Sequence, residues 1–230
     1  PLHLYGMAVA WTAADALRYG SAKEGVALLR LLDDPRPTRA HLILVSHGAM
    51  SRQRMDKWVN LCMVAEALRR HARGGNHSLI QVKGVVHRYL AELLWMNGSE
   101  RHHDLGEELW RRLLQSDPSH WKDIYNDGIP NDERKLSDDP VPKSGLRTVG
   151  KIELRELADA LRNMPVCARG GEARVAERVA AVRAELRIVG RRLWGEVLAK
   201  SKGRSPLLVM DEAHHLKNAG TQLAKQLQST

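Results

Sequence analysis

Apolar positions along the chain fall into two patterns, short continuous runs and long stretches at helical spacing. The run Ala40-His41-Leu42-Ile43-Leu44-Val45-Ser46 reads as a buried strand leading into a small-residue turn at His47-Gly48-Ala49. Leu207-Leu208-Val209-Met210 reads as a second strand, opened by a turn at Arg204-Ser205-Pro206. Asn218 to Gln228 reads as a helix leaving that strand, with Leu216, Leu223 and Leu227 as buried positions. A further short strand is expected near Leu2 to Val9, and after it a helix from Ser21, which with Glu24 forms a capping box.

Between the two runs the spacing is helical. Arg54 to Ala72 places Met55, Trp58, Val59, Cys62, Ala65 and Leu68 on one side, and Leu79 to Met96 does the same with Val82, Val86, Tyr89, Leu90 and Leu93. Shorter helices are expected over Asp104 to Gln115 and Pro118 to Tyr125, while Asp123 to Gly150 reads as an exposed loop rich in proline and charge. The longest helix is expected from Glu172 to Lys200. Its Val175, Val179, Val182, Leu186, Val189, Leu193 and Val197 alternate three- and four-residue steps, a narrow stripe that needs a partner helix. That partner is Ile152 to Leu161 or another molecule, with packing inside a helical bundle preferred. The opposite face carries Arg174, Arg178, Arg183, Arg187, Arg191 and Arg192, which either lie along a nucleic-acid backbone or face water. Compact domains seldom use long structureless loops, so this interval is expected to be an inserted domain. The expected division is residues 1-52, a helical insertion over 53-203, and 204-230, giving an α/β fold interrupted by a mainly α-helical insertion.

Composition narrows the setting. A chain of 230 residues can bury a sizeable core, and its formal net charge of +9, with a pI near 9.8, is the footprint of a phosphate-backbone binder diluted by acidic loops. Cys62 and Cys167 stand far apart and suggest neither a disulfide framework nor a metal pair. No apolar stretch approaches membrane-spanning length and no signal-like start is visible, so a cytoplasmic setting without membrane association is expected, and the compact, arginine- and alanine-rich composition points to a bacterial one.

The sharpest chemistry follows the second strand, where the apolar run stops at Asp211-Glu212. The carboxyl end of such a strand delivers acidic side chains to the crevice where open α/β sheets bind ligands. One Asp suffices for Mg²⁺, which keeps several of its waters, and a neighbouring Glu can act on water. The competing reading is a core strand ending in a surface acidic pair.

Asp211-Glu212-Ala213-His214-His215-Leu216-Lys217-Asn218 resembles motif II of superfamily-two helicases, and its Leu-Lys-Asn tail is similar to the Swi/Snf-like DNA translocase branch. The resemblance implies a partial RecA-like (P-loop NTPase) domain that uses ATP and Mg²⁺ and tracks along double-stranded DNA. It also implies that Asp211 holds the magnesium through water, Glu212 orients or deprotonates the attacking water, and His214 senses the state of the site. In the same family the strand before motif II often ends in Ser or Thr with a loop near the nucleic acid. Ser46, His47 and Arg52 are therefore candidate phosphate contacts, or else parts of an ordinary strand-to-helix turn.

ATP binding also needs a Gly-rich loop ending in Gly-Lys-Ser/Thr. Arg73-Gly74-Gly75-Asn76 and Arg169-Gly170-Gly171-Glu172 lack the Lys-Ser/Thr pair. The phosphate loop is expected upstream of Pro1 and the arginine finger beyond Thr230, leaving this chain inactive by itself. The alternative is a non-enzymatic helical module that binds nucleic acid or a protein partner through the insertion. A metal-dependent hydrolase ranks below both. His214 and His215 are adjacent, as are His102 and His103, and neither pair has the one-turn spacing of a zinc-binding helix.

Overall fold

The computed structural model describes residues 19–22, 25–33, 40, 42–45, 56–71, 77–94, 106–130, 134–166, 172–201 and 208–210. The described chain is mostly helical, with one small parallel sheet. Strands β1 (Tyr19–Ala22), β2 (Leu42–Val45) and β3 (Leu208–Met210) lie side by side in that order. Helix α1 (Gly25–Asp33) joins the first two.

The sheet register explains which face is covered. Gly20 pairs with Ile43 and Ala22 with Val45, so Gly20, Ala22 and Ile43 share one face, and Ala22 and Ile43 are buried. Helix α1 packs on that face so closely that a Cβ at Gly20 would stand 2.6 Å from the Leu31 side chain. The alternate pair, Ser21 and Leu44, looks the other way, and Leu44 is 38% exposed although β2 is the central strand. Ser21 therefore pairs within a strand and does not cap a helix, which begins at Gly25 instead. The strand expected near Leu2 to Val9 lies outside the described residues.

Helix α2 (Lys57–His71) is the centre of the molecule. The sequence spacing marks a single face, yet Leu61, Met63 and Val64 are buried along with Trp58, Val59, Cys62 and Leu68. A helix buried on all sides is packed by neighbours all round, and such a helix loses its amphipathic signature. Asp56 closes its start, its Oδ1 accepting from the backbone N–H groups of Trp58 and Val59 at 2.7 and 3.1 Å.

The expected helix over Leu79 to Met96 is split. It forms α3 (His77–Val85), a 3-10 turn (Val86–Tyr89) and α4 (Leu90–Leu93). Gly84, with low helical propensity, ends α3 beside Val85, whose φ of -124° departs from the helix. Val82, Val86, Leu90 and Leu93 remain buried despite the break. Helices α5 (Glu107–Gln115) and α6 (Trp121–Gly128) follow as a pair, tied by the Trp121 indole N–H donating to the Leu113 carbonyl at 2.8 Å. Trp121 and Tyr125 both meet Trp58, at ring separations of 6.1 and 5.2 Å.

Part of the stretch expected as a loop is helix α7 (Lys143–Val149). Its stabilising contact is remote: Asp33 of α1 accepts the Ser144 backbone N–H at 2.7 Å and pairs with Arg147 at 3.2 Å. Helix α8 (Arg155–Arg162) packs against α9 (Glu172–Ser201), as the stripe requires, and Val179, Val182, Leu186, Val189, Leu193 and Val197 are all buried. At about 1.5 Å per residue, the 30 residues of α9 extend roughly 45 Å. The buried apolar side chains form one continuous cluster, from Ala22 and Ile43 in the sheet to Val197 in α9.

Candidate functional site

Strands β2 and β3 run parallel and in register, Ile43 with Leu208, Leu44 with Val209 and Val45 with Met210. Both therefore leave the sheet at the same edge, their carboxyl edge, from positions about 4.8 Å apart. In sequence, Ser46 follows Val45 and Asp211 follows Met210, so the two motif-bearing segments begin from neighbouring points. Asp211, Glu212, His214, Ser46, His47 and Arg52 themselves lie outside the described residues. The structure thus brings the two strand ends together.

Other titratable groups in the described part have structural surroundings. Glu66 on α2 accepts from Arg69 at 2.6 and 2.7 Å and from Arg70 at 2.6 Å. Burial alone would raise its pKa, but the hydrogen bonds from the two arginines outweigh it and hold the carboxyl below its usual range. Arg70 also donates to the carbonyls of Val149 and Ile152 at 2.8 and 2.9 Å, locking the turn between α7 and α8 onto the end of α2. Cys62 is buried, and burial, followed by Glu66, pushes its thiol up to about 12. A thiol so protonated is not a nucleophile at neutral pH.

Two buried polar groups were not marked by the sequence. Asn60 is fully buried, with no hydrogen-bond partner for either amide atom among the described residues. His87 is 9% exposed, its Nε2 lies 3.7 Å from a Glu107 carboxylate oxygen, and its Nδ1 has no hydrogen-bond partner among the described residues. An Asn in a helical run and a His on an apolar face look the same in sequence whether buried or solvated, so no local signal distinguishes them.

Among the described residues no group of three or more His, Cys, Asp or Glu side chains could hold a metal ion. None of the described helices is long and apolar enough to cross a membrane. No family model, curated protein or solved structure matches the chain.

Proposed function

We propose that this chain is the motif II part of an ATP-driven DNA translocase of the Swi/Snf-like type, a partial RecA-like domain enlarged by helices α2 to α9. The carrying observation is the in-register parallel pairing of β2 and β3, which starts the Ser46 and Asp211 segments from adjacent points on the carboxyl edge. That edge is where open α/β sheets bind nucleotides, and adjacent carboxylates immediately after an apolar strand suit Mg²⁺.

On this reading Asp211 would hold the magnesium that accompanies ATP, whose charge offsets that of the phosphates. Glu212 takes a proton from, or orients, the attacking water. His214 follows it closely enough to report on the site, and Ser46, His47 and Arg52 are phosphate contacts for DNA. The phosphate loop and the arginine finger are supplied from outside residues 1–230, since the chain contains no Gly-Lys-Ser/Thr sequence.

The deciding experiment is Glu212→Gln in the protein that carries this chain. ATP binding is expected to survive while DNA-stimulated turnover falls by at least about 100-fold, in keeping with general base catalysis. Full turnover by the variant sinks the assignment. The 230-residue chain by itself is expected to show no magnesium-dependent turnover, and activity there would contradict a phosphate loop supplied from outside.

A further inference from the structure

The outward face of α9 has an unusual composition. Its stripe from Val179 to Val197 is buried, and opposite that stripe stand exposed alanines at 173, 176, 180, 181 and 184. The other exposed side chains include Arg174, Arg187, Arg191 and Arg192, with Glu177 and Glu196 as the exposed carboxylates among the described side chains of this helix. Between residues 172 and 199 there is no Lys, Gln, Asn, Ser or Thr, the residues that usually clothe a solvated helix face.

The six arginines of α9 are not equivalent. Arg183 is half-buried and donates through both Nε and Nη2 to the Glu92 carbonyl, which fastens the helix to α4. Arg192 pairs with Glu156 of α8 at 3.7 Å. This pair places the first turn of α8 beside the later half of α9, and Arg155 in that turn is exposed. Arg174 lies 17 residues before Arg191, about 25 Å along the axis at 1.5 Å per residue.

We infer that this face of α9, with Arg155 of α8, is a docking surface for the phosphate backbone of a nucleic-acid duplex. Alanine side chains leave the helix backbone within reach of a bulky neighbour, and arginines spread along it match a polyanion of repeating phosphates better than a single anion. Planar guanidinium groups bind phosphate oxygens in pairs. The choice of DNA as the duplex rests on the motor reading above; the charge complementarity does not.

The test is fluorescence anisotropy of a labelled DNA duplex with the protein that carries this chain, over a series of salt concentrations. A triple variant, Arg155→Glu, Arg174→Glu and Arg191→Glu, is expected to bind at least about 10-fold more weakly. It should also lower the slope of log affinity against log salt by about one for each phosphate contact removed. A second variant, Ala180→Gln with Ala184→Gln, adds bulk without charge on an exposed helix, so it should fold normally and weaken binding with little change in slope. Lys83→Glu with Arg88→Glu, exposed cations elsewhere, should leave affinity within about 2-fold. Wild-type affinity and slope in the triple variant, with unchanged melting temperature, would overturn the proposal, as would weakened binding to a protein partner alone. A matching RNA duplex run alongside tells which polyanion is preferred. If Glu212→Gln leaves turnover intact while the triple variant loses DNA, the motor reading fails and this surface stands.

Discussion

Val45 and Met210 are register partners in adjacent parallel strands, although the whole helical region from α2 to α9 separates them in sequence. The chain leaves the sheet at Val45, builds eight of the nine α-helices of the described part, and returns to pair beside its point of departure. Among the described residues the helical region is tied to the sheet layer by side chains of α1, with Arg30 donating to the Asp139 carbonyl at 3.0 Å. Asp33 holds α7 to α1, and α9 runs through residues 202–207 to β3.

The Asp33 contact yields a stability prediction. Asp33→Ala removes the acceptor for the Ser144 N–H and the partner of Arg147, and should cost about 1–2 kcal/mol, as loss of a helix-capping acceptor does. Asp33→Asn keeps an acceptor and should cost less. Urea unfolding of the two variants checks the order, and equal losses would mean that the charge, not the cap, carries the contact.

Glycines at two positions should respond in opposite directions. A Cβ at Gly20 would meet the Leu31 side chain at 2.6 Å, so Gly20→Ala must push α1 from the sheet or force Leu31 into another rotamer, costing about 1–3 kcal/mol. Gly84 has nothing within 4 Å of a built Cβ and lies in α3, so Gly84→Ala should stabilise by about 0.5–1 kcal/mol. Thermal denaturation distinguishes them, and a stabilised Gly20→Ala protein would show that the sheet and α1 are not in close contact.

Cys62 should be inert until the protein unfolds. With its thiol pushed up to about 12 by burial, it should react with a disulfide reagent only at the rate of opening, in a Cys167→Ser background. Rapid labelling at neutral pH under native conditions would place Cys62 at the surface.

Acid stability should depend on Glu66. Its carboxyl is held below the usual glutamate range in the folded state, so its contribution is fully present above the unfolded value and is lost as pH falls through the folded one. Replacing it with Gln should flatten the acid limb of a pH-stability curve measured by chemical denaturation. An unchanged limb would mean that the contacts with Arg69 and Arg70 do not differ between folded and unfolded states.

How much was legible varied with the reach of the forces involved. The stripe of α9 could be read from sequence because helical periodicity is local, and six of its seven apolar positions are buried, with Val175 partly so. The strands at 42–45 and 208–210 were legible as apolar runs for the same reason. Burial around the full circumference of the first half of α2, Trp58 to Val64, was not, since it depends on neighbouring helices. Helix α7 was missed because Asp33, far away in sequence, supplies its first hydrogen bond.

For the candidate site, the sequence alone determined the order of the residues: Asp211 and Glu212 directly after an apolar run, with Ser46 directly after another. Which strand stands beside which, in what direction and register, came only from the tertiary structure. Backbone hydrogen bonds between strands are nonlocal and carry no signature of their partner in the side-chain pattern, so only the folded chain could set the two strand ends side by side.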